Sequence, residues 1–186
     1  MSEWNQKRGT MQHYNLTART YDVQYAEEQK AKFETALEKM EIYENSTILD
    51  CGCGTGLLFE YVAEKAATVV GLDVSRKLLD KAKNRASQFS NVHLILADAD
   101  HMPFKNEVFS HVFAVTVIQN MPNPEKTLVE IKRVASGSAF IVVTGLKKKF
   151  SKEALESVLR KIKLNVIEIK SGNETLKCHV AVCTKN

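Results

Sequence analysis

The sequence is poor in several features, and each scarcity excludes a class of protein. Its 186 residues include only four cysteines and three prolines, so neither a disulfide scaffold nor a collagen-like chain is expected. No apolar run approaches the roughly 18 residues of a membrane-spanning helix. The first twenty residues are polar and lack the apolar core of a secretory signal. These absences predict a reduced, cytoplasmic, globular protein without a membrane segment.

The cysteines and histidines do not form a metal-binding pattern. Cys51 and Cys53 are one residue apart in a glycine-rich turn, and Cys178 and Cys183 lie on one strand-like stretch. The chain has no C-x-x-C pair and its five histidines are scattered. No metal site is therefore expected.

The charge of the chain is concentrated at one end. The net charge is +4, and residues 144–186 alone carry ten Lys/Arg against four Asp/Glu. A basic region of this kind can face an acidic partner such as RNA, whereas the plainer explanation is an ordinary solvated surface.

Strand-like and helix-like patterns alternate along most of the chain. Strands are expected over residues 46–51, 67–73, 92–97, 111–118, 138–144, 165–170 and 176–184, and helices over 26–40, 57–66, 76–89, 124–134 and after Ser151. Such alternation predicts an α/β fold with a doubly wound, mostly parallel, seven-stranded sheet. A short closing hairpin across residues 171–175 makes the last strand antiparallel. We expect one domain over residues 1–186, with a helical lid over 1–45 and the sheet-bearing core over 46–186.

The sharpest local signal is the glycine turn Gly52-Cys53-Gly54-Thr55-Gly56, directly after a strand and before a helix. Glycines at such a place allow a tight turn and a close approach of the backbone to a ligand. The spacing is G-x-G-x-G, and Leu57 stands where a dinucleotide fingerprint requires glycine. Plain tight packing is the alternative explanation of this turn.

Two acidic residues follow the next two strands, at the edge of the sheet that carries the glycine turn. Asp73 ends the second strand, where a carboxylate can accept both hydroxyls of a ribose. Its structural alternative is an acid that stabilises the following helix through the dipole. Asp98 follows the third strand and suits the exocyclic amine of adenine, although a solvated acidic loop explains it as well. Together these loops point to an adenosine-containing ligand.

Four blocks of the sequence, in order and at these spacings, resemble the class I S-adenosylmethionine (SAM)-dependent methyltransferases. The similarity is greatest to the type 11 group, which includes the quinone-biosynthesis methyltransferases. It covers residues 14–143, and the blocks are ILDCGCGTG, VVGLDVS, ILADADHMPF and HVFAVTVIQNMPNPEKTLVEIKRV. The resemblance implies a Rossmann-like methyltransferase fold, SAM as cofactor and S-adenosylhomocysteine (SAH) as product.

The resemblance also assigns roles position by position. Asp50 and the turn would hold the methionine end of the cofactor, Asp73 the ribose, and Asp98 the adenine amine. Val74 would lie against adenine and the Ala99 amide would meet its ring nitrogen. The remaining implied contacts are the turn residues Gly52, Cys53, Gly54 and Gly56, the backbone at Ala114, the reaction side from Val115 to Gln119, and the lid residues Tyr14 and Tyr21.

Methyl transfer from a sulfonium is an in-line displacement with a neutral leaving group, so it needs alignment more than acid or base catalysis. The acceptor is therefore poorly encoded. Gln119 is the one weak catalytic candidate, since it could orient an acceptor, and it could equally cap the following loop. The Asn/Asp-Pro-Pro-Tyr/Phe motif of adenine and amide methyltransferases is missing, because the chain has Gln119-Asn120-Met121-Pro122 there.

Three functions stay open on the sequence alone. The first is an active methyltransferase whose acceptor is a small molecule or a macromolecule, with RNA or protein recognised through the basic C-terminal region and a partner protein completing the site. The second is a non-catalytic cofactor-binding subunit of another protein. The third is a dinucleotide-dependent oxidoreductase, against which both the turn spacing and the closing hairpin argue.

Overall fold

The sheet in the computed structural model, which describes residues 2–18, 20–172 and 176–185, has seven strands in the order β3-β2-β1-β4-β5-β7-β6. The strands are β1 Thr47–Cys51, β2 Thr68–Asp73, β3 Val92–Leu96, β4 Phe109–Ala114, β5 Ala135–Leu146, β6 Leu164–Lys170 and β7 Cys178–Lys185. Neighbours from β3 to β5 pair in parallel, whereas β7 is antiparallel to both β5 and β6. The predicted doubly wound α/β fold with an antiparallel last strand is confirmed.

The helices described are α1 Glu3–Thr17, α2 Tyr21–Leu37, α3 Phe59–Val62, α4 Arg76–Ala86, α5 Pro124–Val134 and α6 Lys152–Lys161. The helices α4, α5 and α6 begin after Ser75, Asn123 and Ser151, whose side chains each accept a hydrogen bond from the backbone amide three residues later. Each cap satisfies an amide that the first helical turn leaves unpaired. The predicted bounds of α5 are confirmed.

Apolar residues pack on both faces of the sheet. On one face, α5 and α6 bury Leu128, Ile131, Leu155 and Leu159. On the other, α2, α3 and α4 bury a second set that includes Phe33, Ala36, Phe59, Leu79 and Ala82. Burial of each large apolar side chain stabilises the fold by about 1.5–3 kcal/mol. This double burial holds the strand ends, and with them the loops that follow, in fixed positions.

The bounds of one predicted helix at the N-terminal end of the chain were wrong. The helix expected over residues 26–40 begins at Tyr21 and ends at Leu37. A further helix, α1, lies within the expected helical lid, although no sequence pattern predicted its bounds. Within α1 the one buried side chain is that of Lys7, so the helix lacks the apolar stripe from which helices are recognised. Polar contacts hold it to the rest of the protein.

Other element bounds also differ from the expectation. The fourth strand ends at Ala114, not at Ile118, because Thr116 has a φ of 66° and turns the chain into a short 3-10 helix, Ile118–Asn120. The helix expected over 57–66 is reduced to α3 and a 3-10 turn, Ala63–Lys65. Residues 173–175 of the predicted hairpin turn lie outside the described residues.

Candidate functional site

The glycine turn after β1 has a backbone that only glycine adopts easily. Gly52 and Gly56 have φ values of 74° and 81°. A Cβ atom on Gly52 would lie 2.6 Å from a methyl carbon of Val117. The amides of Gly52 and Cys53 donate to the carbonyl of Leu72, at 2.7 and 3.0 Å. The turn is therefore packed closely between the ends of β2 and β4.

Asp73 ends β2 and joins this turn to the beginning of α4. One carboxylate oxygen accepts from the amide of Gly54 at 2.9 Å, and the other from the amide of Ser75 at 2.7 Å. Burial raises the pKa of Asp73, and these backbone hydrogen bonds oppose the rise. Asp73 therefore contacts the beginning of the following helix, as its structural explanation requires. It also forms part of a pocket wall.

Asp50, near the end of β1, is a buried carboxyl group with a strongly raised pKa. Burial, together with the neighbouring charge of Asp73, raises the pKa of Asp50 to about 8. Its side chain lines a small pocket with Gln29, Phe33 and Thr55. A buried carboxyl group of this kind is poised to ionise when a cation binds beside it.

The main pocket lies at the carboxyl ends of β1 to β4 and holds roughly 690 Å³ of empty space, including its open mouth. Eight of the predicted contact residues line it: Tyr14, Gly52, Gly54, Asp73, Val74, Asp98, Ala99 and Val115. The smaller pocket is lined by Asp50 and Cys53 and shares Gly52 and Val115 with the main one, so the two adjoin.

Three predicted site residues are not in these walls. Gly56 lies at the far end of the turn, and Ala114 is fully buried at the end of β4. Gln119 is buried, and within the described part of the chain its side-chain oxygen has no hydrogen-bond partner. The side chain of Tyr21 lies outside what the structure describes.

The helix α1 covers the pocket through contacts that sequence reasoning missed. The Lys7 ammonium lies 2.7 Å from both carboxylate oxygens of Asp98 and 2.5 Å from Asp100. Burial raises the pKa of Asp98, whereas the hydrogen bond from the Asp100 amide and the ammonium of Lys7 lower it. The lowering effects together are larger, so the pKa of Asp98 lies below its usual value. The Tyr14 hydroxyl accepts from the Asn120 side chain at 2.9 Å. A lysine in a helix without an apolar stripe gives no sequence signal for such a role.

A second unpredicted cluster joins α2 to the loop after β4. The ammonium of Lys32, whose residue is 2% exposed, donates to the Thr116 hydroxyl at 3.0 Å and pairs with Glu28 at 2.9 Å. Gln29 reaches the same hydroxyl at 3.2 Å, and the Thr116 amide donates to Thr144 at 2.7 Å. One feature of the sequence could have revealed this cluster. Lys32 is a charged residue beside Phe33 on the apolar face of the helix.

The beginning of α2 is tied to the glycine turn. Asp22 accepts from the Thr55 hydroxyl at 2.6 Å and from Arg85 at 2.9 Å, and Arg85 also donates to the Thr55 carbonyl at 3.0 Å. Both N-terminal helices thus contact the same edge of the sheet.

His111 and the four cysteines lie in structural surroundings. His111 lies at the beginning of β4, where one ring nitrogen is 3.0 Å from the Glu41 carbonyl and the ring stacks on Phe140. Burial lowers the pKa of His111. The four cysteines are buried free thiols, and no group of metal-ligating side chains occurs in the residues that the structure describes.

Comparison with known families defines the class of this protein. A model of the methyltransferase domain matches residues 49–143, about half of the chain. The chain belongs to this family, whose cofactor is SAM, and the predicted family and cofactor are thereby confirmed.

Among curated proteins, the chain is similar to an uncharacterised protein and to several methyltransferases. An uncharacterised protein of Methanocaldococcus jannaschii is 29% identical over 139 residues, which are 75% of this chain and 52% of that protein. A malonyl-[acyl-carrier protein] O-methyltransferase of Marinomonas is 28% identical over 78% of this chain and 54% of its own. A demethylmenaquinone methyltransferase of Tropheryma whipplei is 31% identical over 58% of this chain and 45% of its own length. The chain thus spans about half the length of these relatives.

Solved structures share the fold at low sequence identity. Magnesium protoporphyrin IX methyltransferase of Synechocystis, solved with bound SAM, has a TM-score of 0.80 at 13% identity and covers 97% of each chain. A Haloferax volcanii complex of a methyltransferase with the activator Trm112 has a TM-score of 0.76 at 15% identity, covering 92% of this chain and 96% of that one.

In the described residues, no helix is long and apolar enough to cross a membrane.

Proposed function

We propose that this protein is a SAM-dependent methyltransferase whose cofactor lies in the two adjoining pockets at the carboxyl edge of the sheet. The observation that carries the proposal is the convergence there of Asp50, Asp73 and Asp98, from three neighbouring strands, around a glycine turn. Ligands of doubly wound sheets bind at this edge.

The residues present fit an adenosine-containing sulfonium. The Gly52 position is closed to any side chain, because a Cβ atom there would meet Val117 at 2.6 Å, so the backbone itself faces the pocket. The buried carboxyl group of Asp50 suits a cationic α-amino group. The larger pocket has apolar walls from Val74, Leu78 and Ala97, which suit a planar base.

In this proposal each strand end holds one part of the cofactor. Asp73 holds the ribose hydroxyls, and Asp98 and the Ala99 amide hold the edge of the adenine. Asp50, Cys53 and the backbone of the turn from Gly52 to Gly56 hold the methionine end. The contacts assigned to Ala114, Tyr14 and Tyr21 by resemblance belong to the same proposal.

When bound, SAM supplies a methyl group on a positively charged sulfur, and the leaving group is a neutral thioether. The task of the chain is therefore to align the acceptor and exclude water, and alignment alone can supply a large part of the barrier reduction. The contact of Tyr14 with Asn120 holds α1 over the pocket, and in the free protein the contact of Lys7 with Asp98 does so as well. We propose residues 1–45 as the lid over the core at 46–186, within one domain.

The acceptor, on this account, approaches from the side of the pocket bounded by the loops after β4 and β5. The exposed residues Lys147, Lys148 and Lys149 follow β5, and the Lys149 ammonium donates to the Gln119 carbonyl, in the loop after β4, at 2.5 Å. We propose an acceptor that belongs to an acidic macromolecule, RNA or protein. A partner protein that completes the site is a further possibility, supported by the Trm112 complex among the structural neighbours.

The transfer of a labelled methyl group tests this function. The protein is incubated with tritiated SAM and with separate RNA, protein and small-molecule fractions of a cell extract. The proposal predicts label in a macromolecular fraction, and less of it when Lys147 and Lys148 are changed to Gln. Label only in the small-molecule fraction contradicts the macromolecular acceptor. SAM binding with no transfer into any fraction contradicts the enzyme and favours a cofactor-binding subunit.

A further inference from the structure

The contact between α1 and the end of β3 places a lysine ammonium against the carboxylate proposed to bind adenine. The Lys7 side chain is 8% exposed, and its Nζ lies 2.7 Å from each oxygen of Asp98. The Asp98 Oδ1 also accepts from the amide of Asp100 at 3.0 Å. An ammonium and an exocyclic amine are both N–H donors, so they compete for the same carboxylate oxygens.

Asp100 gives the ammonium a second partner. Its Oδ2 lies 2.5 Å from Lys7 Nζ, and among the described residues no other donor reaches this oxygen. Its Oδ1 accepts from the Thr127 hydroxyl at 2.5 Å, so the carboxylate is fixed from α5. Asp100 is outside the pocket wall, although Lys7 and Asp98 both line it.

Charge burial explains why the second partner matters. An ammonium in the protein interior is costly unless it is paired. With Asp100 present, Lys7 can release Asp98 and remain paired with a carboxylate that is 1% exposed. Without Asp100, release of Asp98 would leave the ammonium without a partner among these residues.

We propose that Lys7 is a two-position latch, which pairs with both Asp98 and Asp100 in the free protein and with Asp100 alone once an adenine amine binds Asp98. Lys7 is then a competitor of adenine for Asp98, Asp100 is a positioning residue that holds Lys7 away from Asp98, and cofactor binding is linked to a shift of α1. This inference rests on the proposed function, because it requires an adenine at Asp98.

The test is a set of calorimetric titrations with SAH. In Asp100→Asn the ammonium stays on Asp98, and we expect the affinity for SAH to fall about tenfold, which corresponds to about 1.4 kcal/mol. In Lys7→Met the competitor is gone, and we expect affinity at least equal to that of the unaltered protein. The double variant removes the competitor together with its second partner, so we expect it to recover the affinity lost in Asp100→Asn.

A structural role for Asp100 predicts the opposite pattern. If Asp100 merely shapes the loop after β3, the double variant binds SAH as weakly as Asp100→Asn or more weakly. Weaker binding by Lys7→Met would also overturn the latch, because it would make Lys7 a supporting residue rather than a competitor.

The single tryptophan of the chain reports on α1 directly. Trp4 lies in α1, three residues before Lys7, and is 50% exposed. We expect SAH to increase the quenching of Trp4 fluorescence by acrylamide, and Lys7→Met to show increased quenching before SAH is added. Lys126→Met is the matched control, since it removes the exposed ion pair of Lys126 with Glu3 of α1, at 3.9 Å, and should change neither quenching nor affinity.

These measurements separate failure of the latch from failure of the proposed function. If the unaltered protein binds SAH but Trp4 and the variants do not respond as expected, the latch is wrong and the methyltransferase proposal stands. If the unaltered protein does not bind SAH, both are wrong.

Discussion

The carboxylate of Asp73 accepts a hydrogen bond from the backbone amide of Gly54, at 2.9 Å. This contact joins the end of β2 to the turn that follows β1, across the floor of the pocket. A residue expected to recognise the ribose therefore also holds the loop that would receive the cofactor. Binding and local stability are coupled at this one side chain.

Replacement of Asp73 should lower both cofactor affinity and stability. In Asp73→Ala the amides of Gly54 and Ser75 lose a charged acceptor, and each such hydrogen bond is worth about 1.5–3 kcal/mol. We expect SAH affinity to fall roughly 10- to 100-fold and the denaturation midpoint to fall with it. Asp80→Ala, an exposed site on α4, is the control and should change neither. Unchanged affinity in a folded Asp73→Ala variant would exclude the ribose contact.

The glycine turn gives a steric prediction. Gly52→Ala combines a φ of 74° with a Cβ atom 2.6 Å from Val117. We therefore expect the free energy of unfolding to fall by roughly 1–2 kcal/mol and SAH binding to become undetectable. Gly137→Ala is the matched control, because its Cβ atom would meet nothing within 4 Å. Urea denaturation and calorimetry measure the two effects. If Gly52→Ala behaves like Gly137→Ala, the backbone of the turn does not form the site as described.

The proton on Asp50 should leave when the cofactor binds. At pH 7 a carboxyl group with a pKa of about 8 is mostly protonated, and an adjacent α-amino cation favours its ionisation. We expect the apparent enthalpy of SAH binding to differ between phosphate and Tris buffers at pH 7, reflecting release of up to one proton. Asp50→Asn should abolish the difference. Equal enthalpies in both buffers for the unaltered protein would contradict a cation at Asp50.

Asp50 should also shape the dependence of stability on pH. The unfolded carboxyl group loses its proton near pH 4, whereas the folded one keeps it until about pH 8. Between these values the folded state binds more protons, so the free energy of unfolding falls as pH rises. We expect Asp50→Asn to have a flatter profile from pH 5 to 8 in the absence of cofactor. A slope equal to that of the unaltered protein would place the Asp50 pKa in its ordinary range.

The fold and the floor of the site could be predicted because they follow from local patterns. Buried strands read as apolar runs, and the glycines and acids that follow them, such as Gly52, Asp73 and Asp98, lie at one edge as parallel pairing requires. The end of the fourth strand was missed because apolar residues continue through Val115 and Val117 into the pocket wall. In that segment the apolar residues line the pocket instead of continuing the strand.

The contacts that hold the lid over the site could not be predicted, for a different reason. The helix α1 is held by long-range polar contacts, such as Asn15 to Ser75 at 2.6 Å and Lys7 to Asp98 at 2.7 Å. Pairs of this kind leave no periodicity in the sequence, because each partner is an ordinary polar residue until the fold brings the two together. The buried Lys32 is an exception, because a charged residue among apolar neighbours on α2 is visible in the sequence pattern.

The most direct test of the central claim is calorimetric titration of the unaltered protein with SAM, SAH and NAD. The account predicts that SAM and SAH bind at one site and that NAD does not, because the glycine spacing is G-x-G-x-G and Leu57 stands where the dinucleotide fingerprint requires its third glycine. Absence of binding by both sulfur nucleosides, or binding of NAD with similar affinity, would contradict the assignment of these pockets to SAM.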